Sequence, residues 1–233
     1  EVNAWANNYE MYDVLVNHYG FPASNVFSLM DGTCTKENLT ALMNWLIENT
    51  DENATVVIWF SCHGGYEKNL DGDKEIIDGF LYLWGSPYSK ENILTDEEMA
   101  KFIANLKSRK ILLGGDACNG GEFGGRLDIG ERINELIGNV SLNKDGVIVA
   151  VGAPWFRAEM VSTYGGAVFT LWFSAGLQGM KDFRGKDADD YGNKDGKISV
   201  EEAFKWAFIQ MLTDNPLYPY DFNDNYKGKM YLE

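Results

Sequence analysis

Residues 111–121 read ILLGGDACNGG, an apolar run that stops in glycines and carries Asp116 and Cys118 at its end. Upstream, residues 56–65 read VVIWFSCHGG, a second apolar run that stops in the same way at His63. Near-continuous apolar runs of this length suit strands covered on both faces, so each reads as a buried strand of a parallel sheet. In open parallel sheets the ligand site lies beyond the carboxyl ends of the strands. Two neighbouring strands ending in His63 and Cys118 therefore bring an imidazole and a thiol to one crevice, where the pair forms a nucleophile and its base.

Each of these residues has a plainer reading. An unbridged cysteine is among the most buried residue types, but a core cysteine has no need of Gly-Gly-Asp two residues before it and Asn-Gly-Gly after it. A lone histidine at a strand end is usually structural; His63 is set apart by the glycines after it and by its match with Cys118. The second histidine, His18, precedes Gly20 at a helix C-terminus, which favours a cationic side chain, and is read as structural. Gly64 and Gly65 allow either a tight turn or a close backbone approach. In the second case the Gly64 N–H joins that of Cys118 in an oxyanion hole. Cys62 alternates with His63 and should face the core, while Cys34 lies in a turn with no evident partner. Asp116, two residues before Cys118, shares its face. It is either a carboxylate satisfied by local N–H groups or one that meets a cationic substrate group, since a desolvated carboxylate needs such a partner.

Between these anchors the pattern alternates helix and strand. Asn3 is a good N-cap for a helix carrying Trp5, Tyr9, Tyr12, Leu15, Val16 and Tyr19 at helical spacing up to Gly20. A short strand is expected over 25–30 and a helix from Thr35 to about Asn49. A strand or hairpin arm follows over 79–84, then a helix capped by Thr95, with Glu98 completing a capping box. Beyond Cys118, helices are expected near 127–137, over 167–177 and from Val200 to about Leu212, with a buried strand at 146–151. The pattern implies a mostly parallel sheet with helices on both faces. One α/β domain over 1–213 and a packed tail over 214–233 is the expected organisation.

The spacing adds specificity. A caspase nucleophile stands in a Gln-Ala-Cys-x-Gly string with its histidine roughly 50 residues upstream. Here the string is Asp116-Ala117-Cys118-Asn119-Gly120, and the separation is 118 − 63 = 55. The chain resembles the caspase-like cysteine peptidases, a superfamily that includes metacaspases, legumain and clostripain. LDGDKEIIDG at 70–79 looks like the acidic insertion after the metacaspase histidine, and GGAVFTLWFSAGLQG at 165–179 with DGKISVEEAF at 195–204 is similar to bacterial and archaeal members. The resemblance implies an α/β fold, a caspase-like three-layer αβα sandwich with a mostly parallel central sheet. It implies catalytic roles for His63, Cys118 and Gly64, and a substrate-binding role for Asp116 in selecting Arg or Lys at P1. Legumain, with an acid at the matching place, prefers Asn, so Asp- or Asn-specific cleavage stands as the alternative, and a catalytically silent binding module as the rival class. In the superfamily a buried strand precedes the first helix. The expectation is therefore that such a strand docks from an upstream segment of a longer precursor, cleaved before Glu1.

Composition narrows the partners. A net charge of −15 over 233 residues argues against nucleic-acid and anionic-membrane surfaces, which require clustered Lys and Arg. Three cysteines make no disulfide framework, and no organic cofactor is expected. Residues 187–202 resemble an EF-hand loop. With Gly196 at the sharp turn, Asn193 and Asp195 take ligand positions, Lys197 the carbonyl position and Glu202 the bidentate end. Position one falls on Tyr191, which cannot chelate, so Asp189 or Asp190 must reach in for Ca²⁺ to bind. The second acidic group, Asp71, Asp73, Glu75 and Asp78, reads as solvated surface.

Overall fold

The computed structural model describes residues 4–67, 78–85, 89–118, 146–152, 167–214, 221–224 and 226–233. The chain opens on α1, Ala4–Asp13, which widens into a π turn over Val14–His18 and stops at Gly20. Next come α2, Lys36–Asn49, and β1, Thr55–Ser61. Three short strands, β2 (Gly64–Glu67), β3 (Asp78–Tyr82) and β4 (Ile93–Thr95), lead into α3, Asp96–Asn105. The remaining elements are β5 (Lys110–Asp116), β6 (Val147–Val151), α4 (Val168–Leu177), α5 (Val200–Asp214) and β7 (Asp221–Asp224).

Local chemistry fixes several boundaries. The Thr35 hydroxyl accepts the Asn38 N–H and starts α2. Thr95 and Glu98 close the expected capping box on α3. Lys36 then ties the two helices, donating to the Ile93 carbonyl at 2.6 Å and pairing with Glu98.

The main sheet has the order β1–β5–β6–β7. β1, β5 and β6 are parallel and β7 is antiparallel. Strand alternation sorts the core into two layers. Val57, Trp59, Leu112, Ile148 and Ala150 face α1, α4 and α5, where Val14, Phe169, Phe173, Ala203 and Met211 meet them. Val56, Ile111, Leu113, Val147 and Val149 face α2 and α3, against Leu39, Met43, Met99, Phe102 and Ile103. The fold is the caspase-like αβα sandwich. No helix among the described residues is long and apolar enough to cross a membrane.

Three features differ from the sequence reading. β1 forms where a buried strand is expected, but as the outer strand of the sheet among the described residues it has only Val56 fully buried. The strand expected over 25–30 does not form: Ala23–Asn25 make a 3-10 turn, and 26–30 continue without a ladder. The alternation there is real but has another cause. Val26 packs with the α1–α4–α5 layer while Phe27 meets Trp45 of α2 edge-on, so successive side chains divide between two helical layers. The tail, read only as packed, supplies β7 and two buried core residues, Met230 and Leu232, and the Met230 carbonyl accepts the Val200 N–H at 2.8 Å. Asn3 and the helix expected near 127–137 lie outside the described residues.

Candidate active site

β1 and β5 pair in one unbroken register, from Thr55 opposite Lys110 to Ser61 opposite Asp116. The offset is 110 − 55 = 55 at the start and 116 − 61 = 55 at the end, equal to the separation of His63 and Cys118. The ladder continues one bond further, with the Cys62 N–H donating to the Asp116 carbonyl at 3.1 Å. His63 and Cys118 thus leave the sheet side by side, each two residues past the last pair.

Backbone contacts hold this exit. The His63 carbonyl accepts the Tyr82 N–H at 2.9 Å, which anchors the turn to the small antiparallel sheet β2–β3–β4. His63 is exposed and Cys118 half-buried, so the pair stands at a surface. Gly64 lies against the Ala117–Cys118 segment: a Cβ built on it would fall 2.0 Å from the Cys118 carbonyl oxygen and 3.2 Å from the Ala117 Cβ. Gly115 has φ 141°, and its Cβ would fall 1.9 Å from the Phe60 carbonyl oxygen. Only glycine tolerates these approaches, which explains Gly64 and Gly115.

The three cysteines are unbridged. Cys62 packs on the α2–α3 side, opposite to His63. It keeps some exposure as a residue, yet burial, followed by the proximity of Cys34, Cys118 and Asp116, pushes its thiol up to about 12. Burial also raises Cys34. Neither supplies a thiolate at neutral pH, and nucleophilic chemistry requires one.

Asp116 is 2% exposed and faces α4. The Thr170 N–H donates to its two carboxylate oxygens at 3.2 and 3.4 Å, and the Thr170 hydroxyl donates to Oδ2. Trp59 in turn donates from Nε1 to Thr170 Oγ1 at 2.8 Å, with its ring stacked on Phe169 and Phe173. Sequence reasoning missed Thr170 and Trp59. Trp59 reads as one apolar residue in a buried strand, and Thr170 lies 54 residues from its partner with no motif linking them.

In the loop at 187–202 the Asp189 carboxylate accepts the N–H groups of Asp195 and Gly196 at 3.0 Å each. Tyr191 turns away to donate to Asp182. Asp190 lies apart, 4.0 Å from Lys194, and the Lys197 ammonium pairs with Glu233. Asp195 accepts the Tyr231 hydroxyl at 2.8 Å, the largest of the hydrogen bonds that hold its carboxyl below the usual range. Glu202, 1% exposed, accepts the N–H groups of Asn193 and Ser199. The donors are all oxygen, the chemistry a hard cation takes. However, among the described residues no three acidic, His or Cys side chains gather as a metal-holding group, because these carboxylates are turned onto backbone N–H groups. Asp71, Asp73 and Glu75, and the side chain of Asp78, lie outside the described residues.

Comparison with known proteins shows the family. Residues 3–124 match the family model described as metacaspase, peptidase C14 domain. Metacaspase-1 of Kluyveromyces lactis is 24% identical over 92% of the chain and 55% of that protein. Metacaspase-1A of Aspergillus oryzae is 25% identical over 90% of the chain and 56% of that protein. The chain therefore spans about half the length of the curated relatives it matches. The crystal structure of protein GSU0716 from Geobacter sulfurreducens superposes with a TM-score of 0.61 at 13% identity, covering 96% of this chain and 84% of that one, a likeness of fold alone. With both the motif-bearing strands and the first helices inside the matched region, the chain belongs to the metacaspase family of C14 cysteine peptidases.

Proposed function

We propose that the chain is the catalytic domain of a cysteine endopeptidase that cleaves after Arg or Lys through an acyl-enzyme at Cys118. The observation that carries this reading is the unbroken β1–β5 register, which delivers His63 and Cys118 side by side with Gly64 against the Cys118 carbonyl. In the first step the Cys118 sulfur attacks the scissile carbonyl while His63 takes the thiol proton and returns it to the leaving amine. In the second, water attacks the thioester with His63 as base, releasing the acid and restoring the thiol. The Gly64 and Cys118 N–H groups stabilise the oxyanion in both steps.

Asp116 is the group proposed to select a basic P1 side chain, because a carboxylate this buried is costly without a cation or several donors. Thr170 provides neutral donors, and this favours the second reading, in which Asp116 only caps α4 and P1 is Asp or Asn. A peptide library varied at P1 decides between them, and a peptidyl electrophile that labels Cys118 stoichiometrically separates the enzyme from a silent binding module.

Calcium is proposed as a structural ligand of the 189–202 loop, held by Asp189, Asn193, Asp195 and Glu202 once Glu202 releases its N–H donors. The turn of the Asp189 carboxylate onto the Asp195 and Gly196 N–H groups supports this. A free concentration tenfold above Kd should stabilise the fold by about 1.4 kcal/mol and raise Tm by about 3–6 °C, an effect lost in Asp189→Asn. Identical melting in millimolar calcium and in chelator contradicts it.

A docked strand from an upstream precursor segment is proposed as well. Among the described residues β1 is the outer strand of the sheet, and of its residues only Val56 is fully buried, whereas β5 and β6 are buried almost throughout. α2 beside it has no fully buried residue, and Phe27 and Trp45 stand exposed. Intact-mass measurement of a longer precursor should find a companion peptide ending in Arg or Lys, with processing absent in Cys118→Ala. A single processed species without a companion, or normal processing of the variant, contradicts it.

A further inference from the structure

Asp116 does not stand alone at the end of β5. Its carboxylate receives two donors from one residue, the N–H and hydroxyl of Thr170 in the first turn of α4. That hydroxyl is itself oriented, because Trp59 Nε1–H donates into its oxygen at 2.8 Å and leaves its proton directed at Asp116. Trp59 cannot turn: its ring lies nearly parallel to Phe169 and Phe173, with centroids 5.9 and 5.1 Å away, and over Gly114, where a Cβ would come within 2.5 Å of it. Thr170 is 0% exposed. The result is a buried relay from β1 through α4 to the carboxylate two residues before the nucleophile.

We propose that Thr170, oriented by Trp59, is a positioning residue of the substrate site, fixing the Asp116 carboxylate for a basic P1 side chain. This rests on the reading of Asp116 as the P1-selecting group. The Thr170 N–H reaches both carboxylate oxygens and its hydroxyl reaches Oδ2. Recognition of a guanidinium or ammonium depends on where the two oxygens point. A carboxylate tethered at both levels, N–H and hydroxyl, meets the substrate cation without first being ordered, so the tether acts on binding and not on the thiol.

The test uses five proteins: wild type, Thr170→Val, Thr170→Ser, Trp59→Phe and Asp116→Asn. Each is assayed with a P1-Arg peptide and, separately, for alkylation of Cys118 by iodoacetamide, read by peptide mass. Thr170→Val keeps the N–H and loses the hydroxyl. It should lower kcat/KM for the P1-Arg peptide about tenfold, mainly through KM, with alkylation unchanged and with Thr170→Ser restored to near wild type. Trp59→Phe keeps the ring stack and loses the donor, so it should show the same pattern at about threefold, and it decides the matter if Thr170→Val does not fold. Wild-type kinetics in both Thr170→Val and Trp59→Phe, with P1-Arg cleavage lost in Asp116→Asn, overturns the relay and leaves Asp116 in place. Undiminished P1-Arg cleavage by Asp116→Asn overturns the reading of Asp116 itself. Loss of alkylation along with cleavage, or failure of Thr170→Ser to restore, shows a general effect on the fold and also overturns the proposal.

Discussion

Cys118→Ala and His63→Ala should each lower peptide cleavage by about 10⁴-fold or more while leaving the melting temperature near wild type. The size of the effect follows from shared work. The thiol has no activity without a proton acceptor, and the imidazole has nothing to activate without the thiol. The double variant should therefore be no worse than either single one. Stability should barely change, since His63 is exposed and Cys118 half-buried, so truncating either leaves only a small cavity. Cleavage surviving in Cys118→Ala contradicts the mechanism.

Asp116→Asn should reduce kcat/KM for Arg and Lys at P1 about a hundredfold, because removing the charged partner of a desolvated pair costs about 3 kcal/mol. The asparagine keeps an oxygen for the Thr170 donors, so the start of α4 should persist. Asp116→Ala should lose the same activity and stability besides, since it leaves the buried Thr170 N–H and hydroxyl without their acceptor. A P1 library run on wild type and both variants checks this. A wild-type preference for Asp or Asn contradicts the assignment.

The parts of the molecule that could be read in advance are those governed by local rules. Thr95 with Glu98 announces a helix start, Gly20 a helix stop, and apolar runs such as 111–113 and 147–151 announce buried strands. The placement of His63 and Cys118 at neighbouring strand ends was legible for a further reason: their 55-residue spacing equals the register offset of β1 and β5, so a property of the sheet is written as a sequence distance. Where the deciding partner is remote, the sequence is silent. Phe27 and Val26 alternate like a strand because α2 and α1 lie on opposite sides of them. The polar tail around 221–224 becomes a strand only because β6 has an edge to pair. In the acidic loop the sequence leaves Asp189 and Asp190 as equal candidates to stand in for Tyr191, and it is the folded loop that turns the Asp189 carboxylate onto the Asp195 and Gly196 N–H groups. Likewise no motif joins Trp59, Thr170 and Asp116, which meet only when β1, α4 and β5 are assembled.

Covalent labelling of the purified chain with a P1-Arg peptidyl electrophile, followed by peptide mapping, reports together on Cys118 as nucleophile, on His63 as its base and on the basic P1 preference. One equivalent should attach at Cys118, with none at Cys34 or Cys62, and labelling should slow by orders of magnitude in His63→Ala. Equal labelling of the three cysteines, or a rate unaffected by His63→Ala, contradicts the account.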